Sequence, residues 1–187
     1  EQDIILATKF GKSIRFNEGD VRPTGRRTMG VRGIKLSHQE DAVIGMLVVK
    51  RDGYVLVATN KGYGKRSELS EYRVQNRGGK GVITIKASEK VGYLVAILEA
   101  IDTDDIMIIT DQGVMIRQPV EQIRTIGRNT QGVRLLKLDD NAEISSVTKV
   151  LKEDEKSEDD EDGNSQLEND NSTDNQDNPL SDGNENT

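Results

Sequence analysis

Shifted along itself by 51 places, the chain aligns three times without a gap. Thr8, Thr59 and Thr110 share one column, and Gly11, Gly62 and Gly113 share another. Gly30, Gly81 and Gly132 form a third, each followed by a valine (Val31, Val82, Val133). A repeat of roughly 50 residues implies stacked units, each too small to bury its own apolar face and each completed by its neighbours.

Each unit reads as β structure. The apolar runs Ile4–Ala7, Val55–Ala58 and Ile106–Ile109 have strand length. A Thr-x-x-Gly turn closes each run, with glycine suited to a positive φ. Return strands follow at Ser13–Phe16 and Val114–Arg117. Looser residues then lead to the Gly-Val column and a third strand such as Val82–Lys86, and the fourth is Val43–Val49 or Leu94–Leu98. Asp52-Gly53 turns tightly into the next unit, and no segment carries a helical period. The expected fold class is all-β, with propeller-like blades of about four strands each. Propellers close with about four or more blades, and this chain opens inside a repeat without an initiator Met. It is therefore expected to be the C-terminal part of a longer array.

The formal charge of −7 over 187 residues averages two opposed pieces. Residues 1–152, the expected blade-forming domain, hold 25 basic and 19 acidic side chains, a net +6. Residues 153–187 hold 14 acidic side chains and one basic, and two of the hydrophobic residues. That tail cannot offset its chain entropy by burial and is expected to be disordered. It is either a solubilising end or a competitor that folds back on a basic surface. The absence of cysteine excludes disulfides and thiolate zinc sites. No apolar run approaches the ~18 residues of a membrane span, and Glu1-Gln2-Asp3 does not open a signal peptide. A cytoplasmic protein with no membrane partner is expected.

Arginine repeats in three further columns: Arg15/Arg66/Arg117, Arg22/Arg73/Arg124 and Arg26/Arg77/Arg128. One column means one place on every blade, so these cations should lie along an arc suited to a bent polyanion. Arg27, Arg32, Lys65, Lys80 and Arg134 add charge at the same strand ends and loops. About a third of the columned arginines are expected to pair with carboxylates between blades. Asp20 and Glu71, two places before Arg22 and Arg73, are the candidates. The middle copy of the loop before the Gly-Val column reads Gln75-Asn76-Arg77-Gly78-Gly79-Lys80-Gly81. Its glycines permit close backbone approach and exposed N–H groups, while Arg77 and Lys80 bring charge, as phosphate contact requires. Gly25–Gly30 and Gly127–Gly132 keep an arginine and the closing glycine.

Gly62-Tyr63-Gly64-Lys65-Arg66, the Arg77–Gly81 loop and Ile126–Val133 resemble the C-terminal domain of the bacterial DNA gyrase A subunit. The resemblance covers the whole basic body, and the acidic tail is also typical of that subunit's end. It implies a β-pinwheel, a propeller-like ring whose blades exchange strands, with double-stranded DNA wrapped around its outer rim. It further implies a cytoplasmic, nucleoid-associated holoenzyme of A and B subunits that introduces negative supercoils with ATP and Mg²⁺. The family's defining box reads Gln-Arg-Arg-Gly-Gly-Lys-Gly and belongs to the first blade. Gln75, Arg77, Gly78, Gly79, Lys80 and Gly81 match it and Asn76 departs, so the segment reads as a degenerate copy with the true box upstream. The rival readings are the A subunit of topoisomerase IV and a propeller-type protein-interaction scaffold.

The resemblance brings no cleavage chemistry to these residues. Tyr54, Tyr63, Tyr72 and Tyr93 lack a recognisable cleavage context, His38 stands alone, and no Walker motif occurs. Asp104-Asp105 and Asp139-Asp140 read as solvated turn residues. A binding module with no catalytic residue, metal ligand or cofactor of its own is expected.

Overall fold

The computed structural model describes residues 2–150, and the acidic segment from 153 to 187 lies outside the described residues. The first repeat supplies β1 (Asp3–Thr8), β2 (Lys12–Asn17) and β3 (Val43–Val49). The second supplies β4 (Tyr54–Thr59), β5 (Tyr63–Glu68), β6 (Val82–Ile83) and β7 (Leu94–Ala100). The third supplies β8 (Asp105–Thr110), β9 (Met115–Pro119), β10 (Val133–Arg134) and β11 (Ile144–Val150). Single 3₁₀ turns, Glu18–Asp20, Leu69–Glu71 and Val120–Gln122, succeed the three return strands.

Each Thr-x-x-Gly segment forms a hairpin turn as expected. Gly11, Gly62 and Gly113 have φ of 80°, 80° and 82°, and each amide donates to the carbonyl of its repeat's threonine. The pairs β1–β2, β4–β5 and β8–β9 are antiparallel, and β3, β7 and β11 add on the other side of β1, β4 and β8.

The third strand differs from the sequence expectation in length and in placement. β6 lies in the first repeat's sheet, giving the order β3-β1-β2-β6, and β10 completes the second repeat's sheet as β10-β5-β4-β7. The third sheet has three described strands, β11-β8-β9. Successive repeats thus exchange their outer strand. That strand stops after two residues because the backbone turns to bond a glycine carbonyl. Thr84 and Ile85 both donate to Gly11 O (2.8 and 3.2 Å), and Leu135 and Leu136 both donate to Gly62 O (2.8 and 3.2 Å).

The core lies between the sheets. Ile5, Ala7, Val55, Val57 and Leu94 share one buried cluster, while Leu56, Ala58, Ile106, Ile108 and Ile144 share the next. β4 is therefore buried on both faces. This is why Val55–Ala58 reads as an unbroken apolar run and not as an alternating one.

Candidate nucleic-acid interface

In two of the three arginine columns, the members that stand at a joint between described repeats (Arg15 and Arg66, Arg77 and Arg128) bind the neighbouring repeat. Arg15 pairs with Asp3 on the adjacent strand (2.7 Å) and donates forward to Leu69 O (3.3 Å) and Tyr72 O (3.2 Å). Arg66 pairs with Asp102, lies 4.4 Å from the Tyr54 ring centroid and donates to Glu121 O (3.4 Å). Tyr54 occupies the column that holds Asp3 and Asp105, so the middle blade takes its carboxylate from elsewhere. Arg117 pairs with Asp105 (2.7 Å), and its side chain is 52% exposed.

The third column reaches backward. Arg77 donates to Asp20 O (3.3 Å) and Arg32 O (2.5 Å), and Arg128 donates to Glu71 O (3.1 Å) and Ile83 O (2.8 Å). The acceptors Asp20 and Glu71 stand 51 residues apart, as do Arg32 and Ile83, so the clamp is periodic. It corrects the expected pairing of Asp20 and Glu71 with Arg22 and Arg73. The arginine two places on sits beside the strand edge, and the carbonyls of Asp20 and Glu71 serve the next repeat. The Glu71 carboxylate accepts the Arg128 amide (2.9 Å).

The middle column is different. Arg22, Arg73 and Arg124 are all exposed, and their side chains make no hydrogen bond or ion pair among the described residues. Backbone bonds two residues further along the chain fix the position of the last two: Gln75 N donates to Arg15 O (2.8 Å) and Ile126 N to Arg66 O (3.0 Å). The middle-column arginines of the second and third repeats therefore flank the outer edges of β2 and β5.

The glycine-rich loops are joints as well as surface. Gly78 N donates to Gly33 O (2.7 Å), so that amide is already used, and Lys35 N donates to Gly79 O (2.8 Å). The same bond recurs 51 residues on as Lys86 N to Thr130 O (2.8 Å). Gly81 (φ 66°) leaves only 2.3 Å between a would-be Cβ and Ser13 O, which explains the closing glycine. Lys80, Arg26, Arg27 and Arg32 are exposed, while Arg134 donates to the Tyr63 hydroxyl (3.3 Å). Gln75 is half-buried.

Two further sequence expectations are corrected. Lys65, placed by the sequence among the rim cations, has no exposed surface, and its ammonium lies beneath the Gly127–Thr130 loop. Asp104 and Asp105, read as solvated, are both 4% exposed. Asp105 faces Arg117, and Asp104 meets Arg51 (2.7 Å), which also pairs with Glu99 (3.3 Å). Burial alone would raise both Asp104 and Glu99. Bonds from Arg51 and from backbone amides outweigh it and hold both carboxyls below their ordinary values. The four tyrosines support structure. Tyr72, for example, is buried with its hydroxyl 2.6 Å from Thr84 Oγ1.

Three segments, residues 2–50, 53–99 and 104–150, match the family described as the DNA gyrase C-terminal domain, beta-propeller. They coincide with the three repeats. The chain belongs to the DNA gyrase C-terminal domain family. It is 44% identical over 156 residues to the DNA gyrase A subunit of Staphylococcus epidermidis (strain ATCC 12228 / FDA PCI 1200), covering 82% of this chain. It is 41% identical over 150 residues to that of Escherichia coli (strain K12), covering 80%. In both cases the match spans 17% of the relative's length. A solved DNA gyrase A C-terminal domain superposes with a TM-score of 0.76 at 31% identity, over 81% of this chain and 51% of that one. The C-terminal domain of DNA topoisomerase IV superposes at 0.75 and 26%, over 80% and 47%.

Within this gyrase-type array, one basic column escaped the sequence reading. Lys35, Lys86 and Lys137 stand 51 residues apart and are all exposed, without a side-chain hydrogen bond or ion pair among the described residues. The same sliding comparison would have found it. Lys35 and Lys86 sit against the loops of the next repeats, beside Gly79 and Thr130.

Proposed function

We propose that the loop edge binds double-stranded DNA through its phosphates, without marked sequence preference. Within a complete gyrase it would wrap the duplex around the blade rim. The single observation that carries this is the pair of exposed columns, Arg22/Arg73/Arg124 and Lys35/Lys86/Lys137, which repeat at one place per blade and have no side-chain partner among the described residues. Structural cations are clamped, as Arg15 and Arg77 are; these six are left for a ligand. Phosphates repeat along a duplex as the cations repeat along the array, and each contact releases counterions. In this reading the complete enzyme joins A and B subunits in the cytoplasm, at the nucleoid. ATP and Mg²⁺ are used elsewhere in it to introduce negative supercoils. Among the described residues no group of three or more His, Asp or Glu is placed to hold a metal ion, and no helix is long and apolar enough to cross a membrane. The identities of 41–44% with gyrase A subunits support gyrase over topoisomerase IV.

The test is the salt dependence of duplex binding. Arg22→Ala, Arg73→Ala and Arg124→Ala combined should lower the log–log slope by about 2.7, at ~0.9 per phosphate contact. An unmoved slope would remove the middle column from the interface. A salt-insensitive affinity in the parent protein would instead favour a protein-docking scaffold.

A further inference from the structure

At one position in the return strand the three repeats differ in kind. β5 carries Lys65 where β2 carries Ile14 and β9 carries Ile116. Ile14 supports the second repeat's loop by packing, with its Cδ1 3.5 Å from where a Cβ on Gly79 would stand. Lys65 supports the third repeat's loop by hydrogen bonding. Its Nζ donates to Gly127 O (2.7 Å), to Arg128 O and to Thr130 Oγ1 (3.0 Å). An ammonium has three N–H donors, and this loop offers three oxygens. The loop residue changes with its support, Gly79 above isoleucine and Thr130 above lysine. An unpaired charge at this depth would be untenable, so the oxygen cage and the lysine require each other. One cage oxygen belongs to Arg128, whose guanidinium bridges Glu71 O and Ile83 O at the rim.

We infer that Lys65 is a positioning residue: without itself touching phosphate, it holds the 127–132 loop in the shape against which Lys86 of the exposed lysine column is seated, the Lys86 amide bonding Thr130 O. This rests on the rim reading above. Lys65 behaves as a tethered monovalent cation: the carbonyls converge on it, and the loop's outward side is thereby set. Burial pushes its ammonium down to about 8, the Glu71 carboxylate opposes that shift and the Arg128 guanidinium adds to it.

The test uses the full chain, a mixed-sequence linear duplex, and amide hydrogen exchange measured without DNA. Lys65→Ile should speed exchange at the Arg128 amide at least tenfold, weaken duplex binding about tenfold at low salt, and lower the salt slope by about 0.9, one phosphate. Adding Thr130→Gly recreates the Ile14–Gly79 pairing and should recover most of both effects. Unchanged exchange and slope in Lys65→Ile would overturn the inference. If that variant does not fold, Thr130→Val decides, since it removes one cage oxygen and leaves β5 intact. Faster exchange there supports the inference, and unchanged exchange overturns it. Faster exchange with an unmoved slope overturns the link to DNA. The rim reading itself fails only if the Arg22/Arg73/Arg124 variant is unmoved as well.

Discussion

The joint between the first and second repeats and the joint between the second and third share one backbone pattern. In both, a glycine carbonyl accepts two successive amides, a loop carbonyl accepts a lysine amide, and an arginine bridges two carbonyls of the preceding repeat. Their side-chain chemistry differs. The first joint has an Arg15–Asp3 pair and an Ile14–Gly79 contact, while the second has Arg66 with Asp102 and Tyr54, and Lys65 with Thr130. The glycine, lysine-amide and arginine contacts to backbone recur at both joints, because the backbone is the same in every unit. Residues that contact side chains vary, and they vary in pairs.

The largest break in this pattern should come from the closing glycine. Gly81→Ala combines φ of 66° with a Cβ only 2.3 Å from Ser13 O, and should cost about 3 kcal/mol of stability from left-handed strain and overpacking together. Gly30→Ala has φ of 74° but nothing within 4 Å, so it should cost about 1 kcal/mol. Equal losses in urea denaturation would show that the joint does not set the glycine requirement.

A smaller contrast separates two arginines of one column. Arg77→Met removes both carbonyl bonds to the first repeat and should cost about 1 kcal/mol. Arg26→Met, at an exposed side chain, should stay within about 0.5 kcal/mol. Thermal unfolding of the two variants checks this, and a loss at Arg26 matching that at Arg77 would refute the clamp.

A pH dependence sharpens the difference at Lys65. The folded chain releases this proton near pH 8 while the unfolded chain holds it to about 10.5. Between those values the unfolded state binds more protons, so this group makes stability rise with pH there and leaves it flat below. The charged groups that shift it are Glu71 and Arg128. Lys65→Ile should abolish that rise in denaturation curves taken from pH 7.5 to 10, whereas a parent protein with no rise would discount the shift.

Much of this was legible in the sequence. The period set the number of units, and the hairpins of Ile4–Phe16 and Ile106–Arg117 come from apolar runs and one glycine column. Val43–Val49 forms a strand with the bounds expected of it. The sheet to which Val82–Ile83 belongs was not legible, because a two-residue strand pairs through its backbone and carries no pattern of its own. The arginine columns showed recurrence but not role. Arg77 and Arg22 look alike in sequence, yet one is held by carbonyls, which every residue has and which therefore leave no signature. Lys65 looked like a neighbour of Arg66 in a basic turn. Its burial depends on a loop 62 residues further on.

Strand exchange has a consequence for how such a chain can grow. The unit that is copied, 51 consecutive residues, is out of phase with the unit that is folded, a blade borrowing its last strand from the next copy. Duplication of one unit, starting at any residue, therefore inserts a whole blade with both of its joints, since every cut exposes complementary halves of the same seam. Deletion heals in the same way. Gene rearrangement need not respect any boundary for the backbone seam to re-form, while side-chain pairs such as Lys65 with Thr130 have to be matched anew.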